Sequence, residues 1–145
     1  IQLETELAPR ASENFRQLCT GEFHIDRAPV GYKGCLVRLR TTTTGKLYLE
    51  SGDFDGRGGT SIYGDGFVID NLAALRADQP GTVCMLPEGR GSKFAIIPGV
   101  ITGLEWQVVG RVVEGWPVLN KLQAILTDKA VPADSVTVSQ CGQMY

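Results

Sequence analysis

The chain holds a single histidine, His24, in a stretch from Phe23 to Val30 that reads as a loop. A solitary loop histidine is solvated more often than catalytic, and a histidine-pair metal site is excluded. The four cysteines, Cys19, Cys35, Cys84 and Cys141, are far apart, with no Cys-x-x-Cys among them. That spacing argues against zinc, and no metal and no cofactor are expected. Positive charge is not in excess: the formal net charge is -2, and Lys and Arg form no clustered stripe. Composition therefore gives no electrostatic case for nucleic acid or an anionic membrane surface. No apolar run approaches the roughly 20 residues of a spanning helix. Each cysteine lies near apolar residues, so free buried thiols in a reducing compartment, cytoplasm or nucleus, are the expectation. The even count leaves two disulfides open as the alternative.

What the chain does have is enough apolar residue, 43%, to bury a core, in 145 residues, the size of one domain. Ile1 to Leu7 opens with the alternation of a half-buried strand. Ser12 is the expected N-cap of a first helix carrying Phe15, Leu18 and Cys19 on one stripe and stopped at Thr20-Gly21. Cys35–Arg40 and Lys46–Glu50 read as strands joined by a threonine-rich turn at Thr41 to Gly45. Phe67 to Leu75 reads as a loop with a helical turn. Thr82–Leu86, Lys93–Ile97 and Trp106–Val113 read as strands. Trp116–Leu126 reads as a second helix, with Pro117 at its first position and Val118, Leu122 and Ile125 toward the core. Ser135 to Gln140 is expected to close the sheet. Strands around two short helices suggest a mainly β fold, an antiparallel barrel capped by helices.

One stretch is unusual. Ser51 to Gly64 carries glycine at 52, 56, 58, 59 and 64, between the anchors Phe54 and Ile62-Tyr63. It is too glycine-rich for a helix and lacks the Lys-Ser/Thr ending of a phosphate loop. Its Gly-Asp-Phe and Ser-Ile-Tyr-Gly resemble the middle of a cyclophilin. Three further segments agree in order. Glu13-Asn14-Phe15-Arg16-Gln17-Leu18-Cys19-Thr20-Gly21-Glu22 is similar to that family's first helix, and Gly31-Tyr32-Lys33-Gly34 to the entry of its catalytic strand. Gly110-Arg111-Val112-Val113-Glu114-Gly115 with Cys141-Gly142-Gln143 is similar to its last strands and helix. The resemblance spans nearly the whole chain and implies a cyclophilin-like barrel. An earlier strand comes first in that family, so residues 1–145 are expected to be one domain, a fragment or excised part of a longer protein, with its first strand missing.

The resemblance also implies a chemistry, rotation about the peptide bond before proline, against a barrier of about 18–20 kcal/mol. Three things are needed: an apolar pocket for the ring, hydrogen bonds to the flanking peptide, and an arginine donor favouring the twisted nitrogen. Loss of one such donor costs a factor of about 10²–10³. Ungapped, the family's Phe-His-Arg falls on Val37-Arg38-Leu39, so the arginine position holds Leu39. Arg38 or Arg40 replaces it only if the strand slips or bulges by one residue. The Phe, Met and Gln positions hold Leu47, Tyr48 and Glu50, and an ionised Glu50 accepts but does not donate. The Met-Ala-Asn segment is Met85-Leu86-Pro87, and Pro87 has no backbone donor. In the Gly-Ser-Gln-Phe-Phe motif the chain reads Gly91-Ser92-Lys93-Phe94-Ala95, which removes the floor of the ring pocket. Trp106 stands where the family has a histidine.

The segments that support folding match, and the pocket positions have changed type. The expectation is a cyclophilin-like protein-interaction domain that has lost catalysis, with a degenerate groove formed by Leu47, Tyr48, Met85, Leu86, Lys93 and Phe94 and a protein or peptide partner. The alternatives are a weak prolyl isomerase using Arg38 or Arg40, and a structural subunit of a larger assembly.

Overall fold

The computed structural model describes residues 1–66, 70 and 75–144. Two helices pack on an antiparallel sheet of six strands. In chain order the elements are β1 (Gln2–Leu3), α1 (Pro9–Thr20), β2 (His24–Ile25), β3 (Ala28–Pro29), β4 (Arg38–Thr41) and β5 (Leu47–Ser51). They continue with β6 (Thr82–Met85), β7 (Phe94–Ile97), β8 (Gln107–Arg111) and α2 (Trp116–Thr127). The six strands lie in the order β1-β8-β6-β7-β5-β4. The architecture is mainly β with two helices, as the sequence indicates. Among the described residues β1 and β4 are the two ends of this order and do not pair with each other. The expected closing segment is short: Val136 to Val138 bonds to Gly34–Val37 beside β4, through Val37 N to Val136 O at 2.9 Å and Gly34 N to Val138 O at 2.7 Å. The expected loop and helical turn at Phe67–Leu75 falls mostly outside the described residues.

Several local expectations are corrected. α1 begins at Pro9, not after Ser12; Ala8 holds the cap position without a side-chain bond. Ser12 lies inside the helix, buried, its hydroxyl without a partner. The orphan amides at the helix start are met instead by a remote carboxylate: Asp70 accepts from Ala11 N at 2.7 Å and Arg10 N at 3.2 Å. A carboxylate here satisfies both the unpaired N–H groups and the helix dipole. Phe23 to Val30 is not a plain loop but the β2–β3 hairpin, turned by Asp26 and Arg27 with φ of 50° and 68°. Positive φ at both central residues matches the twist of a two-residue hairpin. In α2 Pro117 is the second helical residue after the Gly115 cap. Val118 is 61% exposed, and Leu119 is the buried residue of that helix.

The core lies between the two helices and one face of the sheet. Phe15, Tyr32 and Phe94 form its centre, with ring centroids 4.8–5.2 Å apart. The geometry is tilted or edge-on, which the ring quadrupoles favour. The glycine stretch is pinned beside this core. Asn14, fully buried, donates from Nδ2 to Gly91 O at 2.9 Å and accepts at Oδ1 from Ile62 N at 2.8 Å. Tyr32 donates its hydroxyl proton to Ser92 O at 2.7 Å, and Ser92 donates to Gly52 O at 2.7 Å. Gly52 has φ of 98°, and a Cβ there would lie 2.7 Å from Ser92 O, so only glycine fits without displacement. The Ser51–Gly64 stretch is thus a tethered scaffold loop.

Candidate functional site on the outer sheet face

Successive side chains of a strand alternate between faces, and residues paired across strands share a face. The registers Arg38↔Glu50, Leu39↔Leu49 and Arg40↔Tyr48 therefore divide the β4–β5 hairpin in two. Leu39 and Leu49 turn toward the core cluster. Arg38, Arg40, Tyr48 and Glu50 turn outward. The pairings Glu50↔Ala95 and Ala95↔Cys84 continue the outer face across β7 and β6. β4 pairs regularly, with no one-residue slip along its length. Both arginines reach the outer face by simple alternation, one residue to either side of Leu39.

The electrostatic centre is Glu50, whose side chain is 13% exposed. Arg40 Nε lies 3.2 Å from Oε2, and Lys93 Nζ lies 3.1 Å from Oε1. Both oxygens are engaged, so the carboxylate bridges the two basic side chains. A polar cleft of about 260 Å³ opens here, lined by Arg38, Arg40, Glu50, Asp53 and Lys93 among others. Asp53 accepts from Gly58 N at 2.9 Å. Among the described residues Arg38 has no ion-pair partner.

Next to this cleft the outer face is apolar and already filled. Ala77, Cys84, Ile97, Ile101 and Val108 are buried together, with Tyr48, Leu75, Leu104 and Trp106 packed over them. Tyr48 and Trp106 meet edge to face, centroids 5.1 Å apart. Burial raises the Tyr48 phenol above its ordinary range, and the carboxylates of Glu50 and Glu88 add to the shift. Ala95, at the floor position, is fully buried.

The groove residues expected from the sequence divide by face. Tyr48, Glu50, Lys93, Ala95 and Trp106 come together on or beside the outer face. Leu47 lies on the same side of β5 as Leu49, away from Tyr48, and is 43% exposed. Met85 and Phe94 are buried in the main core on the opposite face, and Leu86 is buried with its N–H bonded to Lys93 O. Met85 and Leu86 therefore do not reach the outer cleft, and Phe94 lines instead an apolar cavity of about 310 Å³ on the inner side of the sheet, with Leu49, Ile96 and Leu122. The bridge from Arg40 through Glu50 to Lys93 is legible only once β4, β5 and β7 are paired. The four cysteines are free thiols. Burial pushes Cys35 up to about 11 and Cys19 and Cys84 up to about 12. None is poised as a thiolate nucleophile.

Similarity to known proteins points to one family. The family model described as cyclophilin type peptidyl-prolyl cis-trans isomerase/CLD matches residues 1–143. The chain is 36% identical, over 99% of its length and 95% of the relative's, to the Mycosarcoma maydis protein named peptidyl-prolyl cis-trans isomerase H. It is 33% identical to the protein of the same name from Rhizopus delemar, over 99% of this chain and 84% of that one. Peptidyl-prolyl cis-trans isomerase 11 of Caenorhabditis elegans is 35% identical, over 99% of this chain and 81% of the relative.

Proposed function

The chain belongs to the cyclophilin-type peptidyl-prolyl cis-trans isomerase family, and within it we propose a non-catalytic domain that binds a protein or peptide partner. The observation that carries this reading is the filled apolar cluster on the outer face. Tyr48 and Trp106 pack over Cys84, Ile97 and Val108 and cover the apolar face to which the family resemblance assigns the proline ring. The chemistry is depleted as well as the space. Leu39 faces the core, Arg40 is held through Nε by Glu50, and Glu50 meets a cation on each oxygen where the family's glutamine would offer an amide donor. A twisted amide nitrogen needs a donor aimed at it at the moment of rotation. Pro87 gives no backbone N–H for the flanking peptide.

The test is isomerisation of a short proline peptide, followed by NMR exchange at high protein concentration. The uncatalysed rotation takes tens to hundreds of seconds, so even weak catalysis gives exchange cross-peaks. The expected result is no exchange above the uncatalysed rate and no shift changes near Ala95. Cross-peaks that grow with protein concentration refute the reading.

A weak isomerase is the second reading, favoured by one observation. Arg38 and Arg40 stand on the outer face beside Glu50, without any slip of β4. If exchange is seen, Arg38→Ala and Arg40→Ala identify the donor: the responsible substitution removes most of the rate.

A further inference from the structure

The polar cleft between β4, β5 and β7 is unbalanced in a specific way. Both of its carboxylates already hold partners, Asp53 through one oxygen, while much of its donor capacity is unspent. Glu50 spends Oε1 on Lys93 and Oε2 on Arg40, and Asp53 holds Gly58 N. The donors have capacity left. Arg40 approaches Glu50 through Nε, leaving its two terminal nitrogens. Lys93 has three N–H groups and uses one toward Glu50. Arg38 stands directly across from Glu50, exposed, with no ion pair among the described residues. The cleft holds three cations against two carboxylates, in a chain whose net charge is -2. Glu50 acts as an internal counter-ion that fixes Arg40 and Lys93 in place, with Arg38 unengaged at the same wall.

We propose that this cleft receives a carboxylate side chain from an extended acidic peptide, with Arg38 and the free edge of Arg40 as its donors. The inference rests on the interaction-domain reading and gives that domain's partner a chemical class. A guanidinium fork matches a carboxylate in two parallel hydrogen bonds, and such charge-assisted bonds are the strong ones. The volume of about 260 Å³ suits one side chain rather than a folded surface. The neighbouring apolar cluster is closed, so recognition runs through charge and not through a proline ring. A nucleic-acid strand fits less well. Glu50 and Asp53 are interleaved with the cations, and a run of phosphates would meet both.

The experiment is a ¹H–¹⁵N titration of the full chain with a blocked Ala-Asp-Glu-Asp-Ala peptide. The controls are its Asn/Gln counterpart, sodium acetate and a short oligothymidylate. The expected result is saturable shifts at Arg38, Arg40 and Lys93 with the acidic peptide only. The affinity should weaken several-fold between 50 mM and 500 mM salt, because the contacts are partly exposed. Arg38→Glu should lower it by about tenfold or more, while Arg38→Lys should lose less, keeping the charge but not the two parallel bonds. Arg38 is exposed, so both variants should keep the thermal stability of the parent chain. Equal binding of the neutral peptide, absence of saturable shifts, or tighter binding of the oligonucleotide at the same residues overturns the proposal. The two readings fail separately. Catalysed proline exchange removes the non-catalytic domain, whereas a silent acidic-peptide titration with no catalysis removes only the acidic partner.

Discussion

Asn14→Ala should be the most damaging single polar substitution in the scaffold. The side chain is fully buried and bridges two loops that share no strand pairing with α1. It reaches Gly91 O at 2.9 Å and Ile62 N at 2.8 Å. Truncation leaves one donor and one acceptor unpaired in the interior. Each orphan costs about 1–3 kcal/mol, so the sum is roughly 2–6 kcal/mol, with the lower half expected if a water enters the space. A loss of about 3 kcal/mol lowers Tm by roughly 6–12 °C for a chain of this size. Urea unfolding followed by the fluorescence of Trp106 and Trp116 gives the free energy. Amide exchange at Ile62 gives the local effect, and its protection should fall by more than that of β6. Asn14→Asp keeps the acceptor for Ile62 N but sets a carboxylate against Gly91 O, so it should be no better than alanine. A measured loss below about 1 kcal/mol with an unchanged m-value would show that Asn14 does not carry the tether.

Two further outcomes follow from the same geometry. A double-mutant cycle on Tyr48 and Trp106 should give a coupling of about 0.5–1.5 kcal/mol, the range for edge-to-face pairs; a coupling near zero would mean that the aromatic lid does not act as a unit. Acid should erode stability modestly between about pH 4.5 and pH 2. Glu13 is held down to about 2 by hydrogen bonds from Arg16 and then Gln17; Arg16 likewise lowers Glu22, and Arg90 lowers Asp65. Carboxylates depressed in the folded state stabilise it above their unfolded range and lose that contribution as pH falls through the folded value. These pairs are exposed, so 0.5 M salt should flatten the slope in a pH-dependent melt; a slope unchanged by salt would contradict the assignment.

Much of the fold was readable because local chemistry and tertiary structure agree. Gly21 stops α1 where the sequence says it should. Leu39 is the opposite case: the ungapped match sets it at the groove, whereas the pairing of β4 turns it to the core and brings Arg38 and Arg40 outward. The failures have a common cause. Ser12 has the right chemistry for a cap, but a carboxylate about sixty residues away, Asp70, takes the role, and no local window contains it. Val118 has helical spacing, yet the rotation of α2 buries Leu119 instead. For the groove, resemblance supplies positions but not faces. Leu47, Met85 and Phe94 stand next in sequence to outward residues, and a shift of one residue is the difference between core and surface. The Glu50 bridge needs three strands in register before it exists at all.

The split of the sheet into a core face and an outer face has a consequence for how this sequence can change over time. Along β4 and β5 the positions alternate between those that must pack and those that meet the cleft: Leu39 and Leu49 on one side, Arg38, Arg40 and Glu50 on the other. A saturation scan of the hairpin should therefore show a saw-tooth, intolerance and tolerance alternating residue by residue. Recognition can drift through the cleft-facing teeth while the barrier set by the core-facing ones keeps the chain folded. A lineage can thus exchange one ligand chemistry for another by single steps, without crossing an unfolded intermediate.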